Sequence, residues 1–335
     1  MSEFKNVFIF VSDALGYRHT PEKLVEEAES PLIKGLCPSP NSAKSFSSMF
    51  TALEVSNHSV DHFGDVMEQD HVFELFENSN LWDAENSAVR YIFQLEDNPD
   101  LDEMDEPFFW AERSLETHTP YGKVGHDKEY DEEELEDWKT EGRYYATGQD
   151  DEKVRKDYAE AVEKSYRHFK RHVEYLKDND LYEDTLVIFT ADHGEALGER
   201  IWGRKRYEHG RPAHHLVAEV PIIFYNHEVN VEKMRTIDIL PTALNLLDRE
   251  WLLDDVDGVN ILEHEVTEGE CPTGPYIFDL EWRWNDRKKV WQPKPFSLVK
   301  ALIEDYTPEK VLRKLGFDRK KIKFDGNNSE EVEKV

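Results

Sequence analysis

Two short segments carry the residue types from which a site for a hard cation can be built. Asp13 follows the apolar run Asn6-Val-Phe-Ile-Phe-Val11, and Asp192-His193-Gly194 follows Thr185-Leu-Val-Ile-Phe-Thr190. Both runs are β-branched and aromatic without polar alternation, the pattern of a strand buried on both faces of a parallel sheet. Carboxylates and an imidazole delivered to one edge of such a sheet offer oxygen and nitrogen donors to a divalent cation. A lone aspartate at a strand end is commonly only a turn or cap residue. The Thr190-Ala-Asp-His-Gly-Glu195 run says more, because one buried strand then supplies two ligands and a tight turn.

The elements that must position these residues show in the hydrophobic pattern. Phe46, Met49, Phe50 and Leu53 recur at i, i+3, i+4 and i+7 and predict a helix over 45–53, with Ser42 near its N-terminus. Val154, Tyr158, Val162, Tyr166, Phe169, Val173 and Leu176 predict a long helix over 151–177. Val220-Pro-Ile-Ile-Phe-Tyr225 reads as a third strand, and Ile237 to Leu247 as a helix with Pro241 near its start. Strands alternating with helices predict an open, mostly parallel α/β sheet covered on both faces, with ligands outside the carboxyl ends of its strands. His168 and His172 stand at i, i+4 on the long helix and read as part of its solvated face. The acidic stretches 96–106 and 127–137 read as solvated loops. From about residue 266 the character changes: Tyr276 to Leu280 and Lys289 to Trp291, around Asn285-Asp286, read as a hairpin that Trp282, Trp284 and Trp291 pack onto the main sheet.

Composition narrows the partners. The 335 residues carry 72 acidic against 41 basic side chains, a formal charge of −31 spread along the chain. Such a surface repels phosphate backbones and anionic lipid, so neither nucleic acid nor membrane is expected as a partner. Dense carboxylates are tolerable where salt screens them, which suggests a halophilic source. Cys37 and Cys271 are the only cysteines, too few for a disulfide framework. The apolar run from Val7 to Val11 is far shorter than a signal or membrane-spanning segment, and a cytoplasmic location is the expectation.

Several segments, taken in order, resemble the sulfatases of the alkaline phosphatase superfamily. They are Val7 to Asp13, Thr51-Ala52 through His58-Ser59-Val60, Thr117-His118-Thr119-Pro120-Tyr121, Leu186 to Glu199, Glu219 to Phe224, and Thr236-Ile-Asp-Ile-Leu-Pro-Thr242. The resemblance implies an alkaline-phosphatase-like three-layer sandwich with a mostly parallel central sheet over residues 1–265, a small C-terminal α+β portion over 266–320 and a polar tail over 321–335. It also implies Asp13, Asp192 and His193 as ligands of one divalent metal ion (calcium, magnesium, manganese or zinc), with the nucleophile completing the shell. Counted back from Thr51 by the family's spacing, the nucleophile falls on Ser42, where a helix dipole and a cation would both stabilise its alkoxide. Capping the helix is the other role open to that serine. By the same resemblance His118 would bond the nucleophile or the leaving oxygen, and Lys205, or Arg204 one position away, would clamp the anionic ester. Of His209, His214 and His215 in the following loop, His209 is the one expected to reach the site.

The pattern also breaks. Sulfatases convert a Cys or Ser in a Cys/Ser-x-Pro-x-Arg motif to formylglycine, whereas this chain reads Ser42-Ala43-Lys44-Ser45-Phe46. Cys37-Pro38-Ser39-Pro40-Asn41 has its prolines at other offsets and no arginine. An unmodified Ser42 resembles the phosphoesterase and phosphotransferase branches. The second acid common after the first strand is replaced by Ala14. The expected activity is therefore metal-dependent hydrolysis of a small sulfate or phosphate ester, with a sulfated or phosphorylated glycan among the candidate substrates. A phosphoglycerol-type transferase and a non-catalytic metal-binding protein of the same fold are the alternatives.

Overall fold

In the computed structural model, each apolar run becomes a central strand. The structure describes residues 4–83, 88–122, 142, 145–146, 150–201, 204–209, 214–249, 255–266, 268–272, 280–285 and 290–293. The strands are β1 (Asn6–Ser12), β2 (Ile33–Leu36), β3 (Asn78–Asp83), β4 (Phe108–Ser114), β5 (Thr185–Thr190), β6 (Ala196–Ile201), β7 (Arg204–Glu208), β8 (Glu219–Phe224), β9 (Lys233–Arg235), β10 (Glu268–Pro272), β11 (Leu280–Asn285) and β12 (Val290–Pro293). The α-helices are α1 (Glu22–Glu27), α2 (Ser42–Thr51), α3 (Val72–Leu75), α4 (Ala88–Ile92), α5 (Asp151–Asp178), α6 (His215–Ala218) and α7 (Ile239–Leu246).

Seven strands form the main sheet in the order β3-β4-β1-β5-β8-β2-β9. β1 pairs in parallel with β4 and β5, and β3 with β4, so the carboxyl ends of these four strands lie along one edge. β8 runs antiparallel to both β5 and β2, while β9 is parallel to β2. The sheet is thus mostly parallel, with one reversed strand.

Side chains alternate across it. Phe8, Phe10, Trp110, Val187 and Phe189 pack with Tyr158, Phe169 and Val173 of α5. Val7, Ile9, Val11 and Ile188 pack with Phe46 and Phe50 of α2 and Leu240 of α7. These are the three layers that strands buried on both faces require. Among the described residues, no helix is long and apolar enough to cross a membrane.

Helix boundaries follow local chemistry. The helix expected over 45–53 starts earlier because the Asn41 side chain accepts from Lys44 N–H at 3.2 Å. It ends at Ala52, whose φ of 57° is left-handed. Asp150 caps α5 by accepting from Glu152 and Lys153 N–H. A hairpin is present as β11 and β12, with Trp282 opposite Trp291, and β11 also pairs with a third strand, β10; of the first strand expected, over 276–280, only Leu280 is among the described residues. β10 lies against β2: a Cβ on Gly269 would come within 2.5 Å of Leu36 Cδ2, and Cys271 Sγ rests 3.8 Å from Cys37 Sγ. Residues 127–137, 273–279 and the segment from 294 onward, which includes the expected tail, lie outside the described residues, as do the side chains of β11 and β12.

Candidate active site

The parallel edge brings the chemistry together. β1 hands the chain to Asp13 and Ala14, and Ala14 takes a φ of 65°, a left-handed conformation unusual for a residue with a Cβ. That turn is held from two sides. Ala14 N–H donates to Asp192 Oδ1 at 3.1 Å, and the Tyr158 hydroxyl of α5 donates to Ala14 O at 2.7 Å. From the opposite layer, Ser45 Oγ of α2 donates to the Asp192 carbonyl at 2.6 Å.

Gly194 is required by close approach. Its N–H donates to Val217 O at 2.8 Å, and an added Cβ would stand 2.3 Å from Leu216 O. Gly194→Ala must therefore shift backbone rather than a side-chain tip. It is expected to cost about 1–3 kcal/mol in chemical denaturation and to lower turnover by displacing Asp192 and His193. Unchanged stability would show that the α6 segment can yield.

At the centre, Asp13, Asp192 and His193 are fully buried, and one donor atom from each lies within 4.8 Å of the others. His193 Nδ1 faces Gly194 O at 3.2 Å, which leaves Nε2 toward the carboxylates, 3.4 Å from Asp192 Oδ2 and 3.9 Å from Asp13 Oδ1. The Ser42 hydroxyl lies 3.1 Å from the same Nε2. With Asn41 capping α2, Ser42 occupies the first turn and its hydroxyl is turned to the cluster. Asp13 Oδ1 and Asp192 Oδ2 are buried without a hydrogen bond. Buried, unbonded carboxylate oxygens beside an imidazole nitrogen are the donor set that a divalent cation satisfies, so these residues fit the metal that the sequence resemblance implies.

Charge is arranged around this point. Burial alone would raise the Asp13 carboxyl, but Arg113 holds it well below the usual carboxylate range. The Arg113 guanidinium, fully buried on β4, donates through Nε to Asp13 Oδ2 at 2.8 Å and reaches Asp83 Oδ1 at 3.3 Å through Nη1. Asp13 Oδ2 is thereby occupied and Oδ1 is left facing His193. Arg113 only partly offsets the same effects at Asp192, which burial and then Asp13 push up to about 7.

His118 and His209 complete the wall. The His209 ring centroid lies 4.1 Å from that of His193 and 5.7 Å from that of His118. Burial lowers His118, whose Nδ1 lies 2.7 Å from Thr119 O. Burial likewise opposes charge on His209, but Glu195, 3.5 Å from its Nδ1, pushes it up to about 9, while burial raises Glu195 itself to about 7.

Other residues singled out in the sequence lie elsewhere. Lys205 is not brought to the cluster: its ammonium sits on β7, 47% exposed, and pairs with Asp151 at the start of α5 at 2.5 Å. An exposed pair of this kind contributes little. Lys205→Ala is expected to leave ester turnover unchanged, and a large loss of kcat would instead mean that the β6–β7 hairpin closes over substrate. His214 caps α6 by accepting from Leu216 N–H. His168 does not lie on a solvated face; it is buried against β4, and His172 is half-buried beside it. Arg113 went unrecognised in the sequence, its one signal being an Arg beside Glu112 in the apolar run Phe108-Phe-Trp-Ala-Glu-Arg-Ser114.

The sulfatase family model matches residues 63–248, more than half of the chain and including Arg113, His118, Asp192, His193 and His209. The chain belongs to the sulfatase family. Asp13 and Ser42 precede the matched span and join the site through β1 and α2. A relative, the low-salt glycan biosynthesis sulfotransferase Agl7 of Haloferax volcanii, is 29% identical over 279 residues, covering 78% of this chain and 64% of that protein. This sulfatase-family chain thus spans just under two thirds of the curated relative's length.

Solved structures agree on the fold. A 2-O GAG sulfatase, BT1596, superposes with a TM-score of 0.61 at 14% identity over 97% of this chain and 95% of that one. The phosphonate monoester hydrolase of Agrobacterium radiobacter gives 0.59 at 14% identity over 80% of each chain. The architecture is accordingly alkaline-phosphatase-like.

Proposed function

We propose that Ser42 attacks the sulfur or phosphorus of a small anionic ester, and that the resulting covalent intermediate is resolved by water or by a sugar hydroxyl. The observation that carries this reading is the 3.1 Å approach of the Ser42 hydroxyl to His193 Nε2, beside two buried carboxylate oxygens that have no hydrogen bond. Asp13, Asp192 and His193 would hold a divalent cation, which supplies Lewis-acid stabilisation of the serine alkoxide and of the ester oxygens. The chain's own part is placement. α2 sets the hydroxyl at a positive helix end, Arg113 orients Asp13, and the Gly194 contact fixes His193. In the transfer step the bond from Ser42 Oγ to sulfur or phosphorus forms as the bond to the leaving alcohol breaks. Ser42 Oγ gives its proton to one of His118 and His209, the imidazoles adjoining the cluster, and the departing oxygen takes a proton from the other.

The relative named as a glycan biosynthesis sulfotransferase favours a sugar hydroxyl as the second acceptor, and so favours sulfuryl transfer over simple hydrolysis. Departure from the formylglycine motif at Lys44 and Phe46 fits an unmodified serine, which can pass its group to an alcohol.

The test assays an aryl sulfate, a phosphate monoester, a phosphate diester and a phosphonate ester in high salt with Mn²⁺, Mg²⁺, Ca²⁺ or Zn²⁺, each with and without a sugar acceptor. Metal-dependent turnover that an acceptor accelerates, with a sulfated or phosphorylated Ser42 peptide trapped by mass spectrometry, is the expected result. A formylglycine mass on the Cys37–Ser42 peptide, or no turnover of any ester, would overturn it.

A further inference from the structure

The face of the sheet that carries α5 holds a second group of donors. Glu112 Oε2 lies 2.7 Å from His172 Nε2, Glu112 Oε1 lies 3.1 Å from His168 Nε2, and the two Nε2 atoms are 3.2 Å apart. The i, i+4 spacing puts both rings on one face of α5, one turn apart, and β4 supplies the carboxylate opposite. Metal bonds of about 2.0–2.1 Å place tetrahedral donors roughly 3.3 Å from one another, close to these separations.

The surroundings favour such a centre. The Phe10 ring lies 5.5 Å from that of His168, and Phe8 and Trp110 lie 5.5 and 5.2 Å from His172, so the group sits in an apolar pocket. There a carboxylate needs a strong counter-charge. His168 Nδ1 is 2.9 Å from Glu116 Oε1, a carboxylate on the far side of the ring. An Nδ1–H committed to Glu116 turns the Nε2 lone pair toward Glu112 and His172, which is how an outer carboxylate prepares a histidine ligand.

We propose that Glu112, His168 and His172 bind a zinc-class divalent cation, distinct from the one at Asp13, Asp192 and His193, with Glu116 as its outer carboxylate. Glu112 and its chain neighbour Arg113 point to opposite faces of β4, so the two centres lie on either side of the sheet. The cation would clamp α5 to β4. α5 also carries Tyr158, which bonds Ala14 O, and Ser165, 2.8 Å from Ser12 Oγ, so the clamp steadies the turn that presents Asp13. Two imidazoles and one carboxylate suit zinc, cobalt or nickel better than calcium or magnesium.

The full chain, stripped with a chelator, reloaded with zinc and dialysed, is analysed for zinc per chain. Asp192→Asn is expected to keep one equivalent and to melt higher with zinc than without. Adding His172→Gln, at a side chain 14% exposed, should weaken that equivalent by at least about 100-fold. Cobalt in its place should give the intense visible bands of a four-coordinate centre. A folded Asp192→Asn protein that holds no zinc, or holds it as tightly after His172→Gln, overturns the proposal. Should either variant fail to fold, the unmutated chain decides: zinc must protect His168 and His172 from diethyl pyrocarbonate in peptide mass spectra, and equal labelling with and without zinc overturns the site.

Discussion

Ser42→Ala is expected to lower turnover by roughly 10³-fold or more while leaving the protein folded, because it removes the atom that would form the covalent bond. Two features keep its structural cost small. Asn41, not Ser42, caps α2, and alanine is a good helix residue in the first turn. What is lost structurally is the hydroxyl contact with His193 at 3.1 Å, a hydrogen bond contributing about 0.5–1.5 kcal/mol. Stability by urea denaturation should fall by no more than that, so lost activity cannot be assigned to unfolding. Single-turnover rates of the wild type and of Ser42→Ala on the ester found active decide the matter. Residual activity within tenfold of wild type would mean that water attacks directly and that Ser42 only positions it. The same protein should still bind the divalent cation, since Asp13, Asp192 and His193 remain; a loss of binding would make Ser42 chiefly a ligand.

Much of the site was legible because it sits where unbroken apolar runs end. Val7 to Val11 and Leu186 to Phe189 could only be strands buried on both faces, and the sheet then put Asp13 and Asp192-His193 on one edge. The amphipathic stripe of α2 put Ser42 only near a helix start, which it placed too late because a polar cap and a serine-rich first turn carry no hydrophobic period; its choice as nucleophile rested on the spacing of the sulfatase resemblance. β4 escaped notice for a related reason. Glu112 and Arg113 interrupt an apolar strand with two charges, and only the fold shows that each faces a different layer and meets its own partners there. His168 and His172 were misread because helix spacing reports what shares a face and not what covers it. Their carboxylate comes from a strand more than fifty positions away, beyond any periodicity. Lys205 was placed by family spacing alone, and the β6–β7 hairpin carries it instead to Asp151.

Arg113→Met is expected to destabilise the protein by about 3–5 kcal/mol, the cost of removing one partner from a buried ion-pair network and leaving carboxylates without their counter-charge. The guanidinium is buried between Asp13 and Asp83 and lies 5.8 and 5.6 Å from the rings of Phe46 and Phe63. Methionine preserves most of the packing volume, so the loss should be electrostatic rather than a cavity effect. Two consequences separate this from a simple packing defect. Asp83→Asn in the same chain removes one of the stranded charges and should restore part of the stability, a coupling that a double-mutant cycle reads directly. Added Mn²⁺ should also stabilise Arg113→Met more than wild type, because Asp13, no longer neutralised by the guanidinium, attracts the cation more strongly. Turnover should nevertheless fall at saturating metal: without its bonds to Arg113 Nε and Nη2, Asp13 Oδ2 is free to rotate, and Oδ1 is no longer held toward His193. A loss under 1 kcal/mol, or a double variant no more stable than the single one, would show that Asp13 does not depend on Arg113 for its charge, and the orientation of the whole cluster would then need another source.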